Sequence, residues 1–238
     1  MLVLALDTAT PALTVGVVEL TTDGATTARA GRVVHDTRRH AEFLLPAVLE
    51  SCREAGLALR DLEALVVGAG PGPFTGLRVG MVTAAALGDA LALPVHGVCS
   101  LDAIAHDAIA RGAGIAAGEA PGAGGNLLVV TDARRREVYW AAYDAHARRL
   151  SGPHVEAPAA LAERVDGLHV VAAAGGCAEG LGLPVHGPAS PSAAGLVAVA
   201  AADLLAGTDP GPLVPLYLRR PDAAEPGARK RVARVTAG

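Results

Sequence analysis

The chain has 238 residues, of which 51% are apolar and only 3% aromatic, and a formal net charge of −4. Such a composition can build a packed core of small and aliphatic side chains, and it gives the surface as a whole no affinity for nucleic acid. There is no basic leader and no uninterrupted apolar run of the ~20 residues that cross a membrane, and Cys52, Cys99 and Cys177 lie far apart with no C-x-x-C spacing; a cytoplasmic protein in a reduced compartment, with no membrane partner, disulfide framework or zinc site, is expected.

Residues 2–6 (LVLAL) read as a buried strand ending at Asp7, residues 12–20 as a second strand after a turn at Thr10-Pro11, and residues 28–34 as a third. The three suggest an antiparallel meander. The period then becomes helical over 38–55. Ala41, Leu44, Leu45, Val48, Leu49 and Cys52 form one apolar stripe, Gly56 is a C-terminal stop, and Pro46 interrupts the first turns. A strand at 64–69, a helix from Thr75 to Leu93, a strand at 95–98 and a helix at 100–111 complete a β-β-β-α-β-α-β-α order.

Residues 112–125 are rich in Gly and Ala and read as a linker or loop. The pattern restarts with a strand at 127–131 ending at Asp132, a second at 137–143, a third at 168–173, a helix at 191–206 and an extended segment at 213–218. The second half is a smaller, degraded copy of the first. The expected domains are 1–111, the linker 112–125, 126–218, and a flexible basic tail at 219–238 with six basic residues against two acidic ones.

A strand-turn-strand unit with Asp at its first turn, present in both halves, resembles the actin/Hsp70/sugar-kinase superfamily. This implies a duplicated actin-like (RNase H-like) α/β fold. Active members grip phosphates with the two turns, Asp-x-Gly-Ser/Thr and Asp-x-Gly-Gly, whose backbone N–H groups approach phosphate oxygens only where no Cβ intervenes. Here the turns are Asp7-Thr8-Ala9-Thr10 and Asp132-Ala133-Arg134-Arg135, and both lack the glycine. Asp7 could orient magnesium and Thr10 could contact phosphate; alternatively, both cap their own turns by bonding local backbone N–H groups. Gly175-Gly176 resembles an adenosine-binding glycine pair. Asp7, Thr8, Thr10, Asp132, Gly175 and Gly176 are therefore read as a vestigial nucleotide site. A stand-alone ATPase or phosphotransferase is the alternative function. No Ser/His/Asp or Cys/His set suggests a protease.

The most specific stretch is Gly70-Pro71-Gly72-Pro73-Phe74-Thr75-Gly76-Leu77-Arg78-Val79-Gly80, which follows a strand and opens a helix. It fits an anion site at a helix N-terminus or a tight turn with Thr75 as the helix cap. Along the helix Gly76, Gly80, Ala84, Gly88 and Ala92 recur every four residues and leave one face nearly bare. Leu77, Met81 and Val82 cover the neighbouring faces, so the helix is expected to be buried all round. Its cover is either the helix at 38–55 alone or that helix and a second chain. Phe43, Ala47 and Ser51 form a further stripe off the core face of the first helix.

GPGPFTGLRVG resembles the GPGSFTGxRxG motif of the TsaB (YeaZ) family, subunits of the bacterial tRNA threonylcarbamoyladenosine machinery. LALDTAT at the start, RRHAEFLLP (Arg38 to Pro46), DARRREVYWAAY (Asp132 to Tyr143) and PLYLR (Pro215 to Arg219) resemble its other motifs, with Pro73 departing from the usual Ser. The resemblance implies a non-catalytic dimerisation subunit that binds TsaD, the subunit transferring threonylcarbamoyl to the adenosine next to the anticodon. TsaD's metal-binding H-x-x-x-H pair falls on Ser100 and Ile104 here, and neither can replace an imidazole; His96 and His106 are off register and read as ordinary surface or loop residues. The implied interface, with TsaD or with a second copy when free, comprises Arg38, His40, Phe43, Ala47, Thr75, Gly76, Leu77, Arg78, Gly80, Met81, Ala84 and Gly88. TsaE is a further implied partner and tRNA an indirect one. No cofactor is expected for the subunit alone, and an adenine nucleotide only in the complex.

Overall fold

The hairpin read at Asp7 is formed by β1 (Leu2–Asp7) and β2 (Leu13–Leu20), antiparallel with Asp7 opposite Thr14. In this computed structural model, which describes residues 1–35, 40–112 and 125–219, β3 (Thr26–Val34) continues the meander, and β4 (Ala64–Gly68) and β5 (Val95–Val98) add in parallel to give the order β3-β2-β1-β4-β5. The central strand β1 is buried on both faces, as strands between two helical layers must be. Leu4 and Leu6 meet α1 (His40–Glu54) and α2 (Phe74–Leu91), whereas Val3 and Ala5 meet α5 (Ala193–Ala206).

The buried face of α1 differs from the expected stripe. Leu44, Ala47, Val48, Ser51 and Cys52 face the core, while Ala41, Leu45 and Leu49 are exposed. The apolar pattern allows two helix phases one residue apart. The small side chains of Ala47 and Ser51 favour the phase that brings α1 close to β2 and β3.

The second half repeats the meander in β6 (Asn126–Asp132), β7 (Val138–Tyr143) and β8 (Arg149–Glu156). After α4 (Pro158–Val165), β9 (Val170–Ala174) pairs parallel with β6, giving the order β8-β7-β6-β9. The duplicated actin-like α/β expectation is met. The strand β8 and helix α4 were not foreseen: Gly152-Pro153 and register shifts interrupt the edge strand, which blurs its alternation, and α4 has only 8 residues.

The two sequence halves do not coincide with the two layers, which corrects the division into 1–111 and 126–218. Helix α3 (Ser100–Ala110) packs its Leu101, Ile104, Ala105 and Ala108 on the second sheet, while α5 covers the far side of the first. The Asp107 carboxylate joins them, accepting from the backbone N–H and the hydroxyl of Ser192, both at 2.7 Å. Ser192 in turn caps α5 through Gly195 N at 2.9 Å, a cap that satisfies an otherwise unpaired helix donor. Residues 113–124 of the expected linker and 220–238 of the expected tail lie outside the described residues.

Candidate functional site

The first turn is an internal joint. Asp7 is fully buried: its Oδ1 accepts from Ala9 N at 2.9 Å and its Oδ2 from the Ser100 hydroxyl. A Cβ on Gly68 would fall 1.7 Å from Oδ2, so glycine there makes room for the carboxylate. The Thr10 hydroxyl donates to Ala12 O at 3.1 Å. The loop Gly70–Pro73 lies directly on the turn, with a Cβ on Gly72 only 2.2 Å from Ala9 O. Asp7 and Thr10 thus cap their own turn, and the loop at Gly72 packs against its backbone at Ala9.

The bare ridge of α2 faces its own sheet, contrary to the expectation of a partner there. The Thr8 hydroxyl donates to Gly76 O at 2.7 Å and accepts from Gly80 N at 3.1 Å, inserting between two residues one helical turn apart. Gly88 is held against Val95, whose Cγ2 would be 2.3 Å from an added Cβ. Leu77, Gly80, Met81, Ala84 and Gly88 are buried, so none of them offers a free surface. Ala47 is buried too, and Phe43 is half-buried against the same core. Arg38 lies outside the described residues, as does the side chain of His40. Thr75 does not cap the helix: Pro73 holds the N-cap position without a side-chain bond, and Thr75 is exposed in the first turn.

What α1 and α2 present outward was missed in the sequence. Leu45 and Leu49 on α1 are 46% and 49% exposed, and on α2 Val82 is 67% exposed beside Phe74 and Arg78. The helix is therefore not apolar-buried all round. Leu45 and Leu49, one helical turn apart on α1, and Val82 on α2 are thus left outward.

The second turn is open and basic. Asp132 Oδ1 accepts from Arg134 N at 2.8 Å, and Arg134, Arg135 and Arg136 all have left-handed backbone, with φ of 62°, 52° and 63°. The segment read as extended at 213–218 forms no ladder but straps the two halves together. Leu216 N donates to Ala69 O at 2.8 Å, and Arg219 donates to Ala133 O at 3.0 Å and pairs with Glu137 at 2.9 Å. Arg78 Nε donates to the Tyr217 hydroxyl at 3.0 Å, its guanidinium 3.9 Å from the Phe74 ring centroid, and the Phe74 and Tyr217 rings are 5.1 Å apart. Between strap, turn and loop is a cleft of about 180 Å³ lined by Gly72, Pro73, Phe74, Ala133, Arg134, Arg135, Tyr139, Tyr217, Leu218 and Arg219. Burial raises the Tyr139 phenol above its ordinary pKa, with Arg219 opposing. The PLYLR match signalled the strap, but its role was not legible.

The remaining expected positions are structural. Gly175 (φ 96°) crosses β6, where a Cβ would lie 2.2 Å from Val130 O, and Gly176 beside it is exposed. Ser100 is committed to Asp7 and Ile104 to the core. His96 is a buried strand residue, not the surface histidine expected: it lies on β5, where its alternate face turns under the 208–212 loop. Among the described residues, no group of three or more His, Cys, Asp or Glu could hold a metal ion, and no helix is long and apolar enough to cross a membrane.

A family model described as "TsaD: tRNA N6-adenosine threonylcarbamoyltransferase" matches residues 33–207. An uncharacterized protein of Mycobacterium tuberculosis is 50% identical over 227 residues, covering 93% of each chain. The Escherichia coli "tRNA threonylcarbamoyladenosine biosynthesis protein TsaB" is 36% identical over 143 residues, 60% of this chain and 55% of that protein. A crystal structure from Pseudomonas aeruginosa, described as an uncharacterized protein with similarity to peptidase YEAZ, superposes with a TM-score of 0.72 at 29% identity, covering 92% of this chain and 99% of the other.

Proposed function

The chain belongs to the TsaB (YeaZ) family, and from that premise we propose that it serves tRNA threonylcarbamoyladenosine biosynthesis as a non-catalytic partner of a TsaD-type threonylcarbamoyltransferase. The observation that carries the non-catalytic part is the first turn. Asp7, Thr8 and Thr10 are buried and spent on internal bonds, and Gly72 occupies the approach to Ala9. A nucleotide turn covered in this way favours a subunit that needs no cofactor of its own, with an adenine nucleotide bound only in the complex.

The partner surface is the outward face of α1 and α2, carried by Leu45, Leu49 and Val82. This replaces the small-residue ridge as the proposed contact. In the free chain the same face joins two copies, and a TsaE-type subunit joins the assembled complex in the cytoplasm. About 800 Å² buried per partner is the scale of a stable interface. Co-expression with a TsaD-type transferase is the test: a single co-eluting complex is expected, and two separate peaks at micromolar concentration would count against the proposal.

A further inference from the structure

The cleft beside the second turn is walled by three guanidinium groups (Arg134, Arg135 and Arg219) and three aromatic rings (Phe74, Tyr139 and Tyr217), and no carboxylate lines it among the described residues. Arginine supplies planar, forked donors that match phosphate oxygens, and aromatic faces accept unstacked bases. We propose that this cleft and the arginine turn bind the phosphodiester backbone of single-stranded RNA, with one base seated among the rings. The identification of that RNA as tRNA rests on the function proposed above.

Charge at the rim distinguishes RNA from a free nucleotide. Arg136 and Arg78 lie outside the cleft lining but continue its basic edge, Arg136 as the next residue of the turn and Arg78 stacked over Phe74. Of the carboxylates at this edge, Asp132 pairs with Arg134 and Glu137 with Arg219, while the chain as a whole carries −4. A mononucleotide would use only the cleft. A strand of RNA uses the cleft and the basic edge beyond it. Single-stranded RNA suits the geometry because bases leave their stack only in loops, bulges and ends.

The backbone of the turn supports the same assignment. Three consecutive non-glycine residues hold a left-handed conformation that ordinary residues avoid. The conformation is secured by Asp132 accepting from Arg134 N and by the 3.0 Å bonds between Ala133 N and Glu137 O and between Glu137 N and Arg134 O. Strain of this kind persists where the surroundings over-determine it, and it clusters at ligand-binding positions. Here it gathers three arginines on one tight turn.

The test is fluorescence anisotropy of the full chain with an unmodified tRNA transcript across a salt series, with ATP as competitor. R134E/R135E/R136E should weaken RNA binding at least about tenfold at low salt and flatten the salt dependence by about 0.7 for each phosphate no longer neutralised. R135A/R136A, a milder change on the same exposed turn, should fall between the variant and the unsubstituted chain. ATP at matched phosphate concentration should displace little RNA. Equal affinity and equal salt slope in both variants would overturn the proposal. So would displacement by ATP at concentrations comparable with the RNA, since that makes the cleft a mononucleotide site. Both variants should still co-elute with the transferase. Unchanged RNA binding with intact co-elution sinks this inference alone, whereas failure of the unsubstituted chain to co-elute sinks the partner role and leaves the RNA measurement standing.

Discussion

The hydroxyl of Thr8 sits where a side chain on Gly80 would have to go, since a Cβ there would stand 2.3 Å from Oγ1. A residue of the turn after β1 thereby plugs a helix, bonding Gly76 O and Gly80 N across one turn. Gly80 is bare because the end of β1 and its turn approach it, and Gly88 because Val95 of β5 does.

That packing predicts a coupled pair. Gly80→Ala should cost about 1–3 kcal/mol through overpacking, and Thr8→Ala about 1 kcal/mol through the removal of its hydrogen bonds. The double variant should be more stable than the sum of the two losses implies, because the clashing oxygen is gone and the added Cβ would lie 3.4 Å from the residue 8 Cβ. Denaturant titrations of the four proteins should give a coupling within the 0.5–3 kcal/mol seen for residues in contact; strict additivity would refute the plug.

Neighbouring residues on α2 should behave in opposite ways. Val82 is exposed and Met81 is buried in the core. Val82→Glu should leave stability within about 0.5 kcal/mol yet weaken association with a TsaD-type transferase about tenfold or more. Met81→Glu should unfold the chain, because a carboxylate would be buried unpaired. Thermal melts paired with co-elution separate the two; a Val82→Glu chain that binds normally removes this face from the interface.

Much of the fold was legible because it rests on local signals. Asp7 and Asp132 mark the two hairpin turns, and the unbroken apolar runs of β1 and β6 mark central strands. The direction in which a helix faces was harder to read. On α1, Ala47 and Ser51 took the core in place of Leu45 and Leu49, since hydrophobicity ranks side chains but does not say which are small enough for close approach. On α2 the same ambiguity turned the glycine ridge inward. The cleft was illegible for another reason: Phe74, Arg134 and Tyr217 are far apart in the chain and meet only when the strap crosses both halves.

Thiol reactivity should follow burial. Burial pushes the Cys99 thiol up to about 12, and Asp102 adds to the effect, whereas the partly exposed Cys177 is raised by burial and then by Asp132. The thiolate is the reactive form. Iodoacetamide at pH 8 should therefore modify Cys177 before Cys99 in the folded chain. Mass spectrometry showing Cys99 alkylated first would contradict the packing around α3.

Acid sensitivity should trace to His96. Burial lowers its pKa against the opposing field of Asp203. The folded value lies below the unfolded 6.5, so the unfolded chain binds the extra proton between the two, and stability falls as pH drops through that window. His96→Asn should flatten the stability profile between pH 6.5 and the folded value. An unchanged slope in urea titrations across that range would assign the acid response elsewhere.

The exchange of helices has a consequence for how the molecule can be dissected. A fragment ending near residue 112 would lack α5 and leave Val3, Ala5, Val18 and Val66 in water, and a fragment beginning near 125 would lack α3 beneath its own sheet. Neither piece should fold alone, and recombinant halves should regain native structure only by complementing one another.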